Sequence, residues 1–169
     1  GVGRLDYVLV SHGDSDHMNG VEELIERQDI GVRIGTLALP SEEAWDEALA
    51  GLAEKAESYG VRVAVIEPGQ SIREGEMTVT CIQPGNMEMG GDAGLEPGNA
   101  ASMVLAVRYG GFDMLLTGDV EEEGERRLTK ILEEQYQGCE WEVLKVAHHG
   151  SKSSSAEGFL QQIRPAYAF

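Results

Sequence analysis

In "SHGDSDHMNG", residues 11 to 20, two histidines and two aspartates fall within six consecutive positions: His12, Asp14, Asp16 and His17. The chain has four histidines in all, and the other two, His148 and His149, stand side by side in "VLKVAHHGS". Between the two segments lies Asp119, at the end of "MLLTGD". Imidazole nitrogen and carboxylate oxygen together ligate zinc, manganese or iron, and an oxygen-rich donor set shifts the preference toward harder ions. Two divalent cations about 3.5 to 4 Å apart can share a water, lower its pKa toward neutrality and clamp a phosphoryl group under in-line attack. One turn-rich loop carrying four donors can serve both ions at once. A single His or Asp in a loop is more often a cap or a solvated turn residue. Here every histidine of the chain falls in a polar cluster that follows a strand, and that joint pattern, with the strand-end aspartates, is what points to a metal site.

The alternating acids also begin like a calcium loop. Gly20 and Glu26, however, are offset from the places where such a loop needs its glycine and closing glutamate, and His17 is a poor calcium ligand.

The elements that would position these groups are strands. "LDYVLV" before the first cluster is a short apolar run with β-branched residues, and "MLLTGD" and "WEVLKVAHHGS" likewise run from strand into polar residues. Strand ends place all three clusters on one rim, where rigid strands fix geometry and loops supply chemistry. A helix is expected from Gly20, with Val21, Leu24 and Ile25 on one face. A second is expected from an N-cap at Ser41 to about Tyr59, stopped by Gly60. "IGTLALP", "VRVAVIEP" and "MTVTCIQP" read as strands, the last two separated by the turn-rich "GQSIREGE". "SMVLAVRYGGFDMLLTGD" reads as a hairpin around Gly110 and Gly111, and residues 84 to 99 as a mobile loop. Leu128, Ile131 and Leu132 mark a further helix, "SAEGFLQQI" another, and "AYAF" the start of a strand.

The 169 residues suit one domain, expected over 1–169, and the composition, 41% hydrophobic and 25% charged, is that of an ordinary globular protein. No apolar run reaches the length of a membrane span. Thirty acids against 13 Lys and Arg give a net charge of −17, which repels other polyanions at long range and argues against a broad nucleic-acid-binding face. Any polyanionic substrate is expected to enter by a narrow, locally basic path, with Lys145, Lys152 and Arg164 nearest in sequence. Cys81 and Cys139 follow no metal spacing and are compatible with free thiols or with one disulfide. Both ends read as cut from a longer chain.

Taken together, "SHGDSDHMNG", "NAAS", "LLTGD" and "VAHHGSKSSS" resemble the metallo-β-lactamase superfamily, and within it the hydrolase domain at the C-terminus of ComEC-type DNA-internalisation competence proteins. The resemblance covers about Leu5 to Phe169. It implies an α/β fold, a four-layer αββα sandwich with a two-metal site on one edge, incomplete here at both ends. It places His12 at the first ligand position, and Asp14 where many members have a second histidine. Asp16 and His17 fall at the pair belonging to the other metal, Asp119 at the bridging aspartate, and His148 and His149 at the paired histidines of the competence branch. Asn99 and Ser102 match an "N..S" signature taken as structural or supporting. Asn19 stands where many relatives have glycine.

The implied activity is a metal-dependent phosphodiesterase or nuclease with two divalent ions, manganese or zinc. DNA, single-stranded or duplex, is the expected substrate, and Asp16, Asp119 and His148 the residues expected to take direct part. No small organic cofactor is expected. The parent protein is expected at the bacterial cell membrane, on a side the sequence leaves open. The family's opening Gly-Gln-Gly-Asp element and late Gly-His-Pro are absent, so a chain of this extent could bind metal yet lack turnover. Hydrolysis of a small phosphodiester or another ester, and a non-catalytic binding role in DNA uptake, are the alternatives.

Overall fold

The computed structural model describes residues 3–84 and 95–169. Most of the expected loop over 84 to 99 therefore lies outside the described residues. β1 (Arg4–Leu9), β2 (Arg33–Leu39) and β3 (Arg62–Val65) form a parallel sheet in the order β1-β2-β3. β4 (Ser71–Glu74), β5 (Met77–Gln83), β6 (Val104–Tyr109), β7 (Phe112–Leu116), β8 (Val143–Lys145) and β9 (Tyr167–Ala168) form a second sheet in sequence order. Its first three pairings are antiparallel and its last two parallel.

Side chains alternate across a strand, so a strand covered on both sides reads as a continuous apolar run. In β2, Leu37 and Leu39 pack against α1 (Ser15–Glu26) and α2 (Glu47–Ser58), whereas Ala38 faces the other sheet. In β6, Val104 and Ala106 face α3 (Glu122–Gln135) and α4 (Glu157–Ile163), whereas Leu105 joins Cys81 and Met103 between the sheets. Three apolar cores thus separate four layers, helices, sheet, sheet and helices, the αββα sandwich the resemblance implies.

Local structure departs from the sequence reading in three places. The first helix begins at Ser15, five residues before Gly20, so Asp16 and His17 sit in its first turn; its apolar stripe includes Met18. Ser41 does not cap α2. Its buried hydroxyl donates to the Glu67 carboxylate, and a 3-10 turn, Glu42–Ala44, intervenes before Asp46 accepts from the Leu49 N–H at 2.8 Å. The segment read as turns holds β4, which pairs with β5 across Gly75, where φ is +58°. Cys81 and Cys139 are free thiols, and burial, with Glu67 nearby, pushes Cys81 up to about 12.

α3 meets the 3-10 turn Asn99–Ala101 at Gly124, where an added Cβ would lie 2.0 Å from the Ala100 carbonyl oxygen. Backbone cannot swing aside as a flexible side chain can. Gly124→Ala is therefore expected to destabilise the protein by about 3 kcal/mol, the upper end of overpacking costs. Urea unfolding measures it, and a loss within experimental error would refute the close approach.

Candidate metal centre

The loops after β1, β7 and β8 converge on the edge where the two sheets meet. The Ser11 carbonyl accepts from the Met103 N–H at 2.8 Å, and the Gly118 carbonyl from the His148 N–H at 3.3 Å, which ties the loops together. Asp16, His17, Asp119 and His149 each offer a ligand atom, and the four atoms lie within 4.8 Å of one another. His17 Nε2 is 3.2 Å from Asp119 Oδ2, and His149 Nε2 is 3.3 Å from that same oxygen and 3.0 Å from Asp16 Oδ2. Asp119 is almost wholly buried, whereas Asp16 and His149 are exposed, so the cluster has a sealed floor and an open mouth.

His12 lies beside this group, its ring centroid 4.3 Å from that of His17. Its Nδ1 pairs with the Ser11 hydroxyl at 2.9 Å, which orients the ring. The other nitrogen, Nε2, is buried without a hydrogen-bond partner among the described residues, with Asp14 Oδ2 3.6 Å away. Buried polar atoms are almost always paired, because an unpaired one forfeits its hydration for nothing. A cation at Nε2 and Asp14 would satisfy this atom, and the donor chemistry of the whole set suits divalent ions.

His148 lies outside the four-group cluster. Its Nδ1 is 2.9 Å from Glu121 Oε2, with the Asn99 amide nitrogen 3.4 Å from the same atom. Burial works against the charge of Glu121, but contacts with His148, Ser153 and Asn99 hold its carboxyl below the usual range. Both His148 (φ 46°) and His149 (φ 51°) adopt the left-handed conformation, which costs an L-residue about 1–3 kcal/mol and is tolerated where the surroundings over-determine it. Those surroundings include the Ser154 hydroxyl, which donates to the Ala147 carbonyl at 2.8 Å, and Glu125, whose buried carboxylate accepts from the Ser155 and Ala156 N–H groups. The left-handed pair sends the two rings to different partners.

Of the supporting residues, Ser102 is fully buried and its Oγ accepts the Asp119 N–H at 3.1 Å. The sequence reading missed Glu121 and Glu125, which stand in the acid-rich stretch "EEEGE" where no spacing marks them. Lys145, expected on a substrate path, instead turns inward: its Nζ is 2.8 Å from the Gly118 oxygen and 3.5 Å from Asp119 Oδ1.

Burial, and then His17 beside it, holds the His12 imidazole below its ordinary value, against the pull of Asp119, Asp14 and Asp16. The folded chain therefore binds its proton less readily than the unfolded chain does. Stability from this site is complete above about pH 6.5 and is lost as pH falls through the lowered value, by up to about 1.4 kcal/mol per unit for one proton. Urea unfolding of metal-free protein between pH 7.5 and 5 is expected to show this slope, and His12→Asn to flatten it. An unchanged slope in the variant would contradict the assignment.

Residues 1–169 match the metallo-beta-lactamase superfamily. The chain is 28% identical over 168 residues to ComE operon protein 3 of Bacillus subtilis strain 168, covering 99% of this chain and 20% of that protein. It is also 28% identical over 169 residues to competence protein ComA of Neisseria gonorrhoeae, again covering 99% and 20%. The chain thus spans about a fifth of the length of the curated relatives it matches. Among solved structures, CmlA, a diiron beta-hydroxylase from Streptomyces venezuelae, resembles it with a TM-score of 0.65 at 13% identity, over 98% of this chain and 35% of that one. At that identity the likeness speaks for the fold alone. With the match running the length of the chain and the four-layer architecture in place, the chain belongs to the metallo-beta-lactamase superfamily.

Proposed function

We propose that this domain is a metal-dependent phosphodiesterase that cleaves DNA. The observation that carries the reading is the convergence of Asp16, His17, Asp119 and His149 within 4.8 Å, beside a buried His12 nitrogen that lacks a hydrogen-bond partner among the described residues. The similarity to competence proteins supports DNA as the substrate, and the exposed mouth of the cluster suits a polymer better than a small molecule needing enclosure.

Asp16, His17, Asp119 and His149 would hold one divalent ion, manganese or zinc, and His12 and Asp14 would provide donors for a second. Ions at these positions would supply Lewis acidity and an activated water. The remaining steps fall to the chain. Ser102 fixes the Asp119 backbone, and the sealed floor keeps bulk water from that carboxylate. Glu121 holds Nδ1 of His148, so Nε2 is the atom at which this ring would carry a proton for the leaving-group oxygen. Lys152, exposed and three residues beyond His149 in the chain, would meet the phosphate chain in an otherwise acidic protein.

Incubation with manganese or zinc and single-stranded DNA, duplex DNA, bis(p-nitrophenyl) phosphate and a carboxylic ester tests this reading. Metal-dependent, chelator-sensitive cleavage of DNA is expected. Ester hydrolysis alone would favour the other substrate class, and tight metal binding with no turnover on any of them would favour a binding role.

A further inference from the structure

Lys145 ends β8, and the two-residue period of the strand decides where its side chain goes. Leu144 packs against the α3 and α4 side, so Lys145 faces the inter-sheet side, in register with Leu116 of β7, at the point where the metal loops begin. There its ammonium reaches three acceptors from both loops: the Gly118 oxygen at 2.8 Å, the Val146 oxygen at 3.3 Å and Asp119 Oδ1 at 3.5 Å. The other oxygen of Asp119 faces the opposite way, toward His17 Nε2 and His149 Nε2. An ammonium has three donors and no acceptor capacity, and the Asp119 carboxylate beside it is 2% exposed. A half-buried countercharge of this kind restrains a carboxylate that water cannot reach.

We infer that Lys145 is a positioning residue that holds Oδ1 of Asp119 and leaves Oδ2 as its single metal-binding oxygen, so that the two ions are bound unequally. The ion at Asp16, His17, Asp119 and His149 is the tight one. The ion at His12 and Asp14, deprived of Oδ1 as a shared ligand, is the weak one. This rests on the metal-centre reading above and deepens it. It also redirects Lys145 from the substrate path, since an ammonium engaged with two carbonyls and a carboxylate is not presented to a phosphate.

Manganese titration of the metal-free protein, read by electron paramagnetic resonance and by calorimetry, tests the inference without reference to turnover. The wild type is expected to show one tight site and a second at least about tenfold weaker. Lys145→Met keeps the stem, and also the backbone oxygen that accepts from the Thr117 hydroxyl at 2.6 Å. It is expected to weaken the tight site about 10- to 100-fold, the range for losing a residue that orients a ligand. Lys145→Arg is expected to recover most of that loss. Two equally tight ions in the wild type, or unchanged affinity in Lys145→Met, would overturn the inference while leaving the metal centre in place. Absence of any manganese binding would overturn the metal-centre reading itself. Should Lys145→Met fail to fold, by circular dichroism, the wild-type stoichiometry alone decides.

Discussion

Asp119→Ala is expected to lower metal-dependent phosphodiester cleavage by about 10³-fold or more, at or beyond the upper end of what losing one preorganised charge-stabilising group costs. The reason lies in how much converges on this side chain. Its Oδ2 is the point to which His17 and His149 both turn, and its Oδ1 lies 3.5 Å from the Lys145 ammonium. Truncation removes one of four clustered donors and leaves the other three around an empty floor. The local backbone should survive, because the Ser102 hydroxyl accepts the N–H of residue 119 whatever its side chain, and Gly118 supplies the left-handed turn at φ +54°. The variant should therefore keep its far-UV circular dichroism while losing bound ion by elemental analysis. Asp119→Asn, with the same shape and no charge, should fall between, at about 10²-fold. Turnover within tenfold of wild type together with full ion content in Asp119→Ala would remove Asp119 from the reaction.

The convergence of these histidines and aspartates, the candidate ligands, was legible in the sequence because it depends on strand order and strand ends, and both leave signals. Apolar runs such as "LDYVLV" and "MLLTG" mark buried strands, and the polar residues after them must emerge at an edge. The four layers were readable only through resemblance: periodicity shows that β2 and β6 are buried on both faces, not which layer covers each. The helix start at Ser15 was missed because Gly20 reads as a boundary, whereas it sits on an exposed face where the cost of glycine is small beside the packing of Met18 and Ile25. The division of labour between His148 and His149 could not be read either. Adjacent residues in an ordinary strand point to opposite faces, but here two left-handed conformations in succession set the directions, and no residue type announces those. Lys145 was misplaced for a related reason. A lysine beside a polar cluster reads as solvent-facing, yet alternation from Leu144 aims it inward.

Glu125→Ala is expected to cost about 3–6 kcal/mol of stability, from two lost hydrogen bonds to a buried carboxylate at about 1.5–3 kcal/mol each. Glu125 is 5% exposed on α3, and its two oxygens accept from the backbone of Ser155 and Ala156 at the start of α4. Ser155 itself is held in the left-handed region at φ +55°. Without the carboxylate, two N–H groups lose their acceptor and a strained residue loses its restraint, so the segment from Ala147 to Ala156 should loosen as a unit. For a domain of this size the loss corresponds to a fall in melting temperature of about 6–24 °C. The consequence for function follows from the same connection: His149 sits in the loosened segment, so metal affinity should fall although Glu125 touches no ligand. Glu125→Gln keeps one acceptor oxygen and should lose about half as much. If Glu125→Ala instead melts within two degrees of wild type and binds manganese with unchanged affinity, the loop is held by Ser154 and the strand alone, and the buried carboxylate has no part in positioning His149.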